Sequence, residues 1–125
     1  MNALRTLHTV LVPGGLVVDT QPLSPEPPVE GPSGELGRLD MRDWAQTIAV
    51  IDDRFETAIR QGLFAVQEER SFVVTDSFDS AEEMLTIVRG WLGTRIPPAL
   101  ERRVEREQGA VHVNQDVRLR LLKAQ

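Results

Sequence analysis

The sequence predicts an α/β protein with a small mixed sheet of three strands and three to four helices. Three observations predict this class. Apolar residues recur at spacings of three and four in several stretches, which is the repeat of amphipathic helices. The unbroken apolar run Leu16-Val17-Val18 is typical of a strand covered on both faces. From Val111 to Leu122, apolar and polar residues alternate, which indicates a half-buried strand.

Along the chain, the first elements are a helix and a strand. Leu4, Leu7, Val10 and Leu11 form an apolar stripe that predicts a helix over residues 2–11. Pro13-Gly14-Gly15 ends this helix, because proline cannot continue it and glycine accepts the turn that follows. The apolar strand comes next. The segment Gln21–Gly37 is rich in proline and glycine and is predicted to be a long loop.

The remaining elements follow from periodicity and capping signals. An apolar stripe from Trp44 to Ile59 predicts a helix over Asp40–Gln61, and Gly62 is its stop signal. Phe64–Phe78 is predicted to be a long strand with a bulge or a partly exposed stretch. Ser80 begins a capping box for a further helix, Pro98 can open another, and Val111–Leu122 is the final strand.

Composition restricts the classes of protein to which the chain can belong. Its 125 residues suffice for one domain, and we treat residues 1–125 as that domain. No run approaches the roughly 18 apolar residues of a membrane span, and no signal-peptide pattern is present, so we expect a cytoplasmic protein without membrane contact. The absence of cysteine excludes disulfides, thiol nucleophiles and thiolate metal sites. A net charge of −5 argues against nucleic-acid binding.

The segment LRTLHTVLVPGGLVVD resembles part of the class I S-adenosylmethionine-dependent methyltransferases, in which a helix ends in a Leu-x-Pro-Gly-Gly turn before the fifth strand. The later order of elements is also similar to the carboxy-terminal half of that family. The resemblance implies that the predicted strands are equivalent to the last three of a Rossmann-like sheet. It also implies that the final strand lies between the other two.

The chain departs from that family in the half that binds the cofactor. Those enzymes use a Gly-x-Gly-x-Gly-like turn and an acidic residue on their first two strands, and no Gly-x-Gly occurs here. We therefore expect no cofactor for this chain alone and assign no catalytic or cofactor-binding residue. S-adenosylmethionine would bind only if another chain supplied the missing half.

Candidate site residues are few. Asp19, Thr20 and Gln21 end the apolar strand, and ligands of open α/β sheets bind beyond the carboxyl ends of strands. In the resembled enzymes this region borders the acceptor-substrate pocket, so these three are the candidates for a substrate pocket. His8 and His112 lack neighbours at metal-ligand spacing, and no metal site is predicted.

Charged residues elsewhere are interpreted as solvated surface. Asp52-Asp53 are adjacent on a helix and point about 100° apart, so they cannot act as a carboxylate pair. The basic residues near the carboxyl terminus, Arg118 and Arg120 among them, occupy the polar positions of a helix and a strand. This arrangement predicts exposed positions more readily than a patch for an acidic partner.

Three functions remain open. The chain could be a non-catalytic methyltransferase-like module that acts in assembly, the acceptor-side half of a split or longer methyltransferase, or a small-molecule binding module with a pocket beside the Gln21–Gly37 loop. A partner chain carrying the glycine-rich half is possible under the second. The unpaired edge of the apolar strand predicts a homodimer through the first helix and that strand, with contacts from Leu4, Leu7, Leu11, Leu16, Val17 and Val18.

Overall fold

The computed structural model describes residues 13–125, and over that range it contains five strands and three helices. The strands are β1 (Leu16–Pro22), β2 (Pro28–Gly31), β3 (Gly34–Arg38), β4 (Phe64–Phe78) and β5 (Val111–Ala124). The helices are α1 (Arg42–Arg60), α2 (Ala81–Val88) and α3 (Pro98–Glu105). The helix predicted over residues 2–11 lies outside the described residues. No helix within the described part is long and apolar enough to cross a membrane.

All five strands form one antiparallel sheet with β5 at its centre. On one side β5 pairs with β4 along its whole length, and on the other it pairs with β1 and then with β2. The α/β class is confirmed, as is the position of the final strand between the other two long strands. The prediction of a mixed sheet with three strands is wrong, because every pairing is antiparallel and the sheet has five strands.

The two additional strands come from the segment predicted to be a loop. Residues 21–37 contain the end of β1 and most of the β2–β3 hairpin, which turns at Pro32-Ser33. Pro28 is the first residue of its strand, a position that tolerates proline. Val29 is fully buried opposite Val113 of β5. Each of these short strands has one buried apolar residue, Val29 in β2 and Leu36 in β3. The segment therefore has no apolar periodicity from which the strands could be predicted.

A bulge in β4 places its apolar residues on opposite faces of the sheet. The pairing with β5 shifts between Val66 and Glu68. Side chains along a strand alternate between the two faces of the sheet. The extra residue therefore moves each later side chain of β4 to the opposite face from the one it would otherwise occupy. Phe64 therefore packs with Leu122 and Ala124, whereas Phe78 packs in a second core. The predicted bulge is confirmed.

The two cores lie against different helices. The larger contains Val111, Val113 and Phe78 beneath α2, α3 and the β2–β3 hairpin. The smaller contains Phe55 and Ala58 of α1 with the end of β5. Each face of the long central strand is thus covered by helices over part of its length. This arrangement leaves part of the sheet open on the face that α1 does not cover.

The helix ends agree with their sequence signals. The predicted helix Asp40–Gln61 corresponds to α1, which begins two residues later. Ser80 caps α2 as predicted, with its Oγ accepting a hydrogen bond from the Glu83 amide at 3.1 Å. The Glu83 carboxylate accepts from the Asp79 amide at 3.2 Å, which completes the box one residue earlier than expected. Pro98 opens α3.

Candidate functional site

The structure separates the three predicted pocket residues. Asp19 and Gln21 are buried on the side of the sheet that faces α1, with 5% and 8% of their surface exposed. Thr20 lies between them in the strand, so its side chain points to the opposite face, where it is exposed. Gln21 Nε2 donates to Asp19 Oδ1 at 2.6 Å. The predicted residues therefore do not converge on one pocket.

Asp19 instead belongs to an arginine–carboxylate cluster made of Asp19, Asp52, Glu56, Arg118 and Arg120, in which Asp19 and Arg120 are buried and Glu56 is exposed. Arg120 Nε and Nη2 both donate to Asp19 Oδ2, at 3.2 and 3.0 Å. Its Nη1 donates to Glu56 Oε1 of α1 at 3.1 Å. Arg118 Nη2 donates to Asp52 Oδ1, also of α1, at 2.6 Å. The cluster therefore connects the two strands β1 and β5 to one helix.

The ring of Phe55 completes the surroundings of Arg120. The guanidinium carbon lies 5.3 Å from the ring centroid, within the range of a cation–π contact. Arg120 is thereby held by carboxylates at its edges and by an aromatic face. Arginine remains protonated, and its carboxylate partners are bound to fixed donors, so the cluster offers neither a proton donor nor a nucleophile. Its geometry suits the attachment of α1 to the sheet.

The interpretation of Arg118 and Arg120 as solvated surface is wrong. The side chain of Arg120 is 4% exposed and that of Arg118 is 18% exposed. They share parity on β5 with Leu122, which is fully buried beneath α1. The cluster could have been predicted from two sequence signals. The two arginines occupy the same face of β5 as a buried leucine, and Asp52 and Glu56 lie four residues apart on one face of α1. Of the two aspartates predicted to be solvated, Asp53 is exposed as expected, whereas the prediction is wrong for Asp52, which is half-buried and accepts from Arg118.

Two clefts border the short helix α3. The first, of about 520 Å³, lies between the start of α2 and the end of α3 and is lined in part by Ser80, Arg89 and Glu105. The second, of about 410 Å³, lies between the hairpin and α3, where Ser33 and Arg103 line it. Some of their polar groups are bound to other protein groups: Ser33 donates to Glu107, and Arg103 donates to the Leu36 carbonyl at 3.1 Å. Neither cleft contains an array typical of catalysis.

His112 lies on the exposed part of the sheet. Its Nδ1 shares a hydrogen bond of 2.8 Å with Ser77 Oγ on the neighbouring strand. A serine–histidine pair can form a nucleophile and base, but catalysis also needs a group that orients the base and donors for an oxyanion. No hydrogen bond to Nε2 is found among the described residues, and neither of the two clefts beside α3 includes the pair. No group of three potential metal ligands is found in this part of the chain either.

The most unusual surface is an apolar area on the face of the sheet opposite α1. Leu16 and Val18 of β1 are 58% and 61% exposed. In the register of the sheet, Val18 pairs with Leu121 and Thr20 pairs with Leu119, and both leucines are half-buried. We call Leu16, Val18, Leu119 and Leu121 the β1–β5 patch. Val17 is not part of it, because it packs against the α1 core.

The patch ends at a charged pair on β4. Glu68 pairs with Leu121 and Arg70 pairs with Leu119, and Arg70 Nε donates to Glu68 Oε1 at 2.7 Å. Farther along β4, Phe72 and Val74 are 44% and 37% exposed on the same face. Exposed apolar surface that is contiguous over several residues can serve as a site of association. We therefore identify the β1–β5 patch as the candidate functional site.

Comparison with models of known protein families, with curated proteins and with solved structures finds no match to this chain. The functional assignment therefore depends on the geometry of the described residues.

Proposed function

We propose that this chain is a non-catalytic assembly module of the cytoplasm that acts by burying the β1–β5 patch against another protein surface. The observation that carries the proposal is the exposure of Leu16 and Val18, at 58% and 61%, beside two half-buried leucines. Removing apolar surface from water contributes about 25 cal/mol per Å². A partner that covers the patch would gain this free energy without any rearrangement of the two cores.

The proposal includes a relationship to the carboxy-terminal half of class I methyltransferases. What supports it is the strand order, since β5 lies between β1 and β4 and is antiparallel to both. This is the arrangement that the resemblance implies for the last three strands of that family. The β2–β3 hairpin is an addition to it. Because the chain has no Gly-x-Gly turn, the relationship carries no cofactor site with it.

The acceptor-side half of a split methyltransferase is the second candidate. The observation that favours it is the outer edge of β1, which has no strand partner among residues 13–125. In the resembled fold this edge pairs with the fourth strand, which a chain carrying the glycine-rich half would supply. Adding such a chain should then produce both a stable complex and binding of S-adenosylmethionine, whereas an assembly module would gain no cofactor affinity.

Calorimetry with S-adenosylmethionine tests the non-catalytic part of the proposal. The purified chain should show no saturable heat up to millimolar cofactor, near the weak end of specific affinities. The reason is the missing glycine turn, without which the backbone cannot approach the cofactor closely. Saturable binding in the micromolar range would overturn this part.

Hydroxyl-radical footprinting in cell extract tests the assembly part. Leu16 and Val18 should be oxidised more slowly in extract than in dilute purified protein, because a partner covers them. Leu92, which is 81% exposed and remote from the patch in sequence, serves as the internal control and should react equally in both. Equal oxidation of all three residues under both conditions would contradict the proposed function.

A further inference from the structure

We propose that β4 is a site of self-association, at which the outer edges of two copies pair antiparallel around a two-fold axis through Val73. The sheet then continues from one copy into the other through the two β4 strands. This edge is separate from the β1–β5 patch, which lies on a face of the sheet and stays exposed in such a dimer. The inference therefore goes beyond the proposed function and does not depend on it.

The first support is the exposed length of β4. Residues 66–77 of this strand are all exposed. Among residues 13–125, β4 pairs with β5 alone, so its outer edge carries backbone donors and acceptors without a strand partner. Phe72, Val73 and Val74 form an apolar run in the middle of this edge, with 44%, 60% and 37% of their surface exposed. A long edge with apolar side chains is a template for pairing with another strand.

The second support is the charge pattern of that edge. The segment from Arg70 to Asp76 reads RSFVVTD, with a cation at one end and an anion at the other. An axis through Val73, the central residue, places Arg70 of each copy opposite Asp76 of the other. Opposite charges at facing positions stabilise an antiparallel pair. Both side chains are exposed, and Asp76 has no ion-pair partner among the described residues, so its carboxylate is available to a second copy.

The residues between these charges also match in the same register. Phe72 lies opposite Val74 of the second copy, which is an aromatic and β-branched pair of the kind that stabilises sheets. Ser71 lies opposite Thr75, and Val73 meets its own copy at the axis. The segment therefore pairs with itself from one end to the other through side chains of matching chemistry.

The charges also oppose the neighbouring registers. Facing side chains of an antiparallel pair lie on the same face of the sheet, so the two-fold axis must pass through a residue. An axis through Phe72 would place Glu68 opposite Asp76, which are like charges. An axis through Val74 would place Phe72 opposite Asp76. Exposed charges usually prevent association at an edge, and here they select one partner strand in one register.

The small size of the contact predicts a weak and reversible dimer. Only the segment from Arg70 to Asp76 is paired, and small interfaces are typical of transient association. Because such a dimer dissociates readily, outward-pointing amides of β4 still exchange faster than those of the central strand β5. The axis is perpendicular to the sheet, so the two β1–β5 patches lie on the same side of the continuous sheet.

Sedimentation equilibrium with charge-reversed variants tests the inference. Wild-type protein should pass from monomer to dimer as its concentration rises to about 100 µM, in the range of weak specific association. Asp76→Arg should raise the dissociation constant at least about tenfold, because each Arg70 then faces a second cation. Asp53→Arg is the matched control, since it makes the same charge change at an exposed position of α1 and should leave the dissociation constant unchanged.

A mixture of two charge variants tests whether the contact is between copies. Arg70→Asp alone should also dimerise at least about tenfold more weakly than wild type, because two carboxylates then face each other. Mixed with Asp76→Arg, it should form a heterodimer in which each charged pair is restored. Circular dichroism verifies that both variants are folded. If wild type dimerises and the mixture of folded variants does not associate, the inference is wrong.

A cysteine variant tests the position of the axis. The chain has no cysteine, so Val73→Cys introduces a single thiol. Facing residues of an antiparallel pair have Cα atoms about 4.5–5.5 Å apart, which is within the range of a disulfide. Mild oxidation should link two copies of Val73→Cys. Val18→Cys is the control, because Val18 on β1 is 61% exposed and Val73 is 60% exposed, and it should remain largely unlinked.

Three other results would overturn the inference. They are a monomeric wild type over the whole concentration range, equal effects of Asp76→Arg and Asp53→Arg, and faster linkage of Val18→Cys than of Val73→Cys. The last result would favour the homodimer through β1 that the sequence predicts. Protection of Leu16 and Val18 in extract is measured independently, so failure of the β4 dimer leaves the proposed function standing.

Discussion

Arg120 connects the helix α1 to the sheet through its side chain. Its guanidinium binds Asp19 in the neighbouring strand and Glu56 in the helix, and it lies over the Phe55 ring. Buried ion pairs are not automatically stabilising, because removing both charges from water costs much of what their attraction contributes. Removing only one partner is different, since it leaves a buried charge without compensation.

We expect Arg120→Ala to lower the free energy of unfolding by about 3–5 kcal/mol, because the buried Asp19 carboxylate loses its two guanidinium donors. Denaturant unfolding measures the change. Arg102→Ala, at an exposed position of α3, is the control and should stay within about 0.5 kcal/mol of wild type. In a double-mutant cycle with Asp19→Ala, additive effects would contradict the direct coupling of the two side chains.

Asp40 provides a second prediction at this scale. Hydrogen bonds from the Arg42 side chain and backbone lower the pKa of Asp40 from 3.8 to about 2. A carboxyl with a lowered pKa in the folded state stabilises the protein above the unfolded pKa and loses that contribution as the pH falls. The loss should therefore occur between about pH 4 and pH 2. Carbon-detected NMR titration measures the pKa directly.

Arg42→Gln should move the midpoint of the Asp40 titration upward toward 3.8, since the charged donor is removed. Arg38→Gln is a suitable control, because Arg38 pairs with Glu35 instead. A midpoint that remains near 2 in Arg42→Gln would show that another group lowers the pKa.

Among the elements, the connection between α2 and α3 passes close to the start of α1. Gly93 has a φ of +64°, and a Cβ built on it would lie 2.9 Å from Trp44 Cβ and 3.0 Å from the Trp44 amide nitrogen. Real Cβ atoms do not come this close to backbone atoms without a shift of the chain. Glycine at this position therefore permits both the turn and the close approach to the start of α1.

Gly93→Ala should destabilise the protein more than Gly62→Ala does. Gly62 has a similar φ of +75° but open space around it, so its substitution isolates the conformational cost of about 1–2 kcal/mol. Gly93→Ala adds the contact with Trp44, and overpacking typically costs a further 1–3 kcal/mol or so. Thermal and denaturant unfolding of the two variants give the comparison. Equal losses would mean that the Trp44 segment moves away without cost.

In the molecule as a whole, β5 is the central strand of the sheet. It is hydrogen-bonded to β4 on one side and to β1 and β2 on the other, and it contributes to both cores. The strand β4 is different, because residues 66–77 are exposed and, within the described residues, it pairs with β5 alone. Local opening should therefore begin at the outer strands and involve β5 last.

Hydrogen exchange measures this order. Amides of Val111–Ala124 should exchange most slowly, whereas β4 amides that point away from β5 should exchange much faster. Uniform exchange across the sheet would contradict the central role of β5.

The elements with local signals were the most predictable. The stripe from Trp44 to Ile59, the capping box at Ser80 and the alternation after Val111 each arise from neighbours within a few residues. The bulge was also expected, because Glu68 and Arg70 interrupt an apolar parity in β4. In the candidate site, the expectation that Leu16-Val17-Val18 is covered on both faces is wrong, because Leu16 and Val18 are 58% and 61% exposed and only the Val17 face is packed.

The sequence by itself determined where α1, β4 and β5 form, because periodicity and capping depend on residues close together in the chain. Only the tertiary structure decided that Arg120 meets Asp19, 101 residues away, and that Val29 joins a proline-rich segment to the sheet. It also decided which face of β1 is covered, and hence that Val17 is packed while Val18 is exposed. Contacts between distant segments leave no periodic pattern in either segment, since each depends on the partner that folding brings to it.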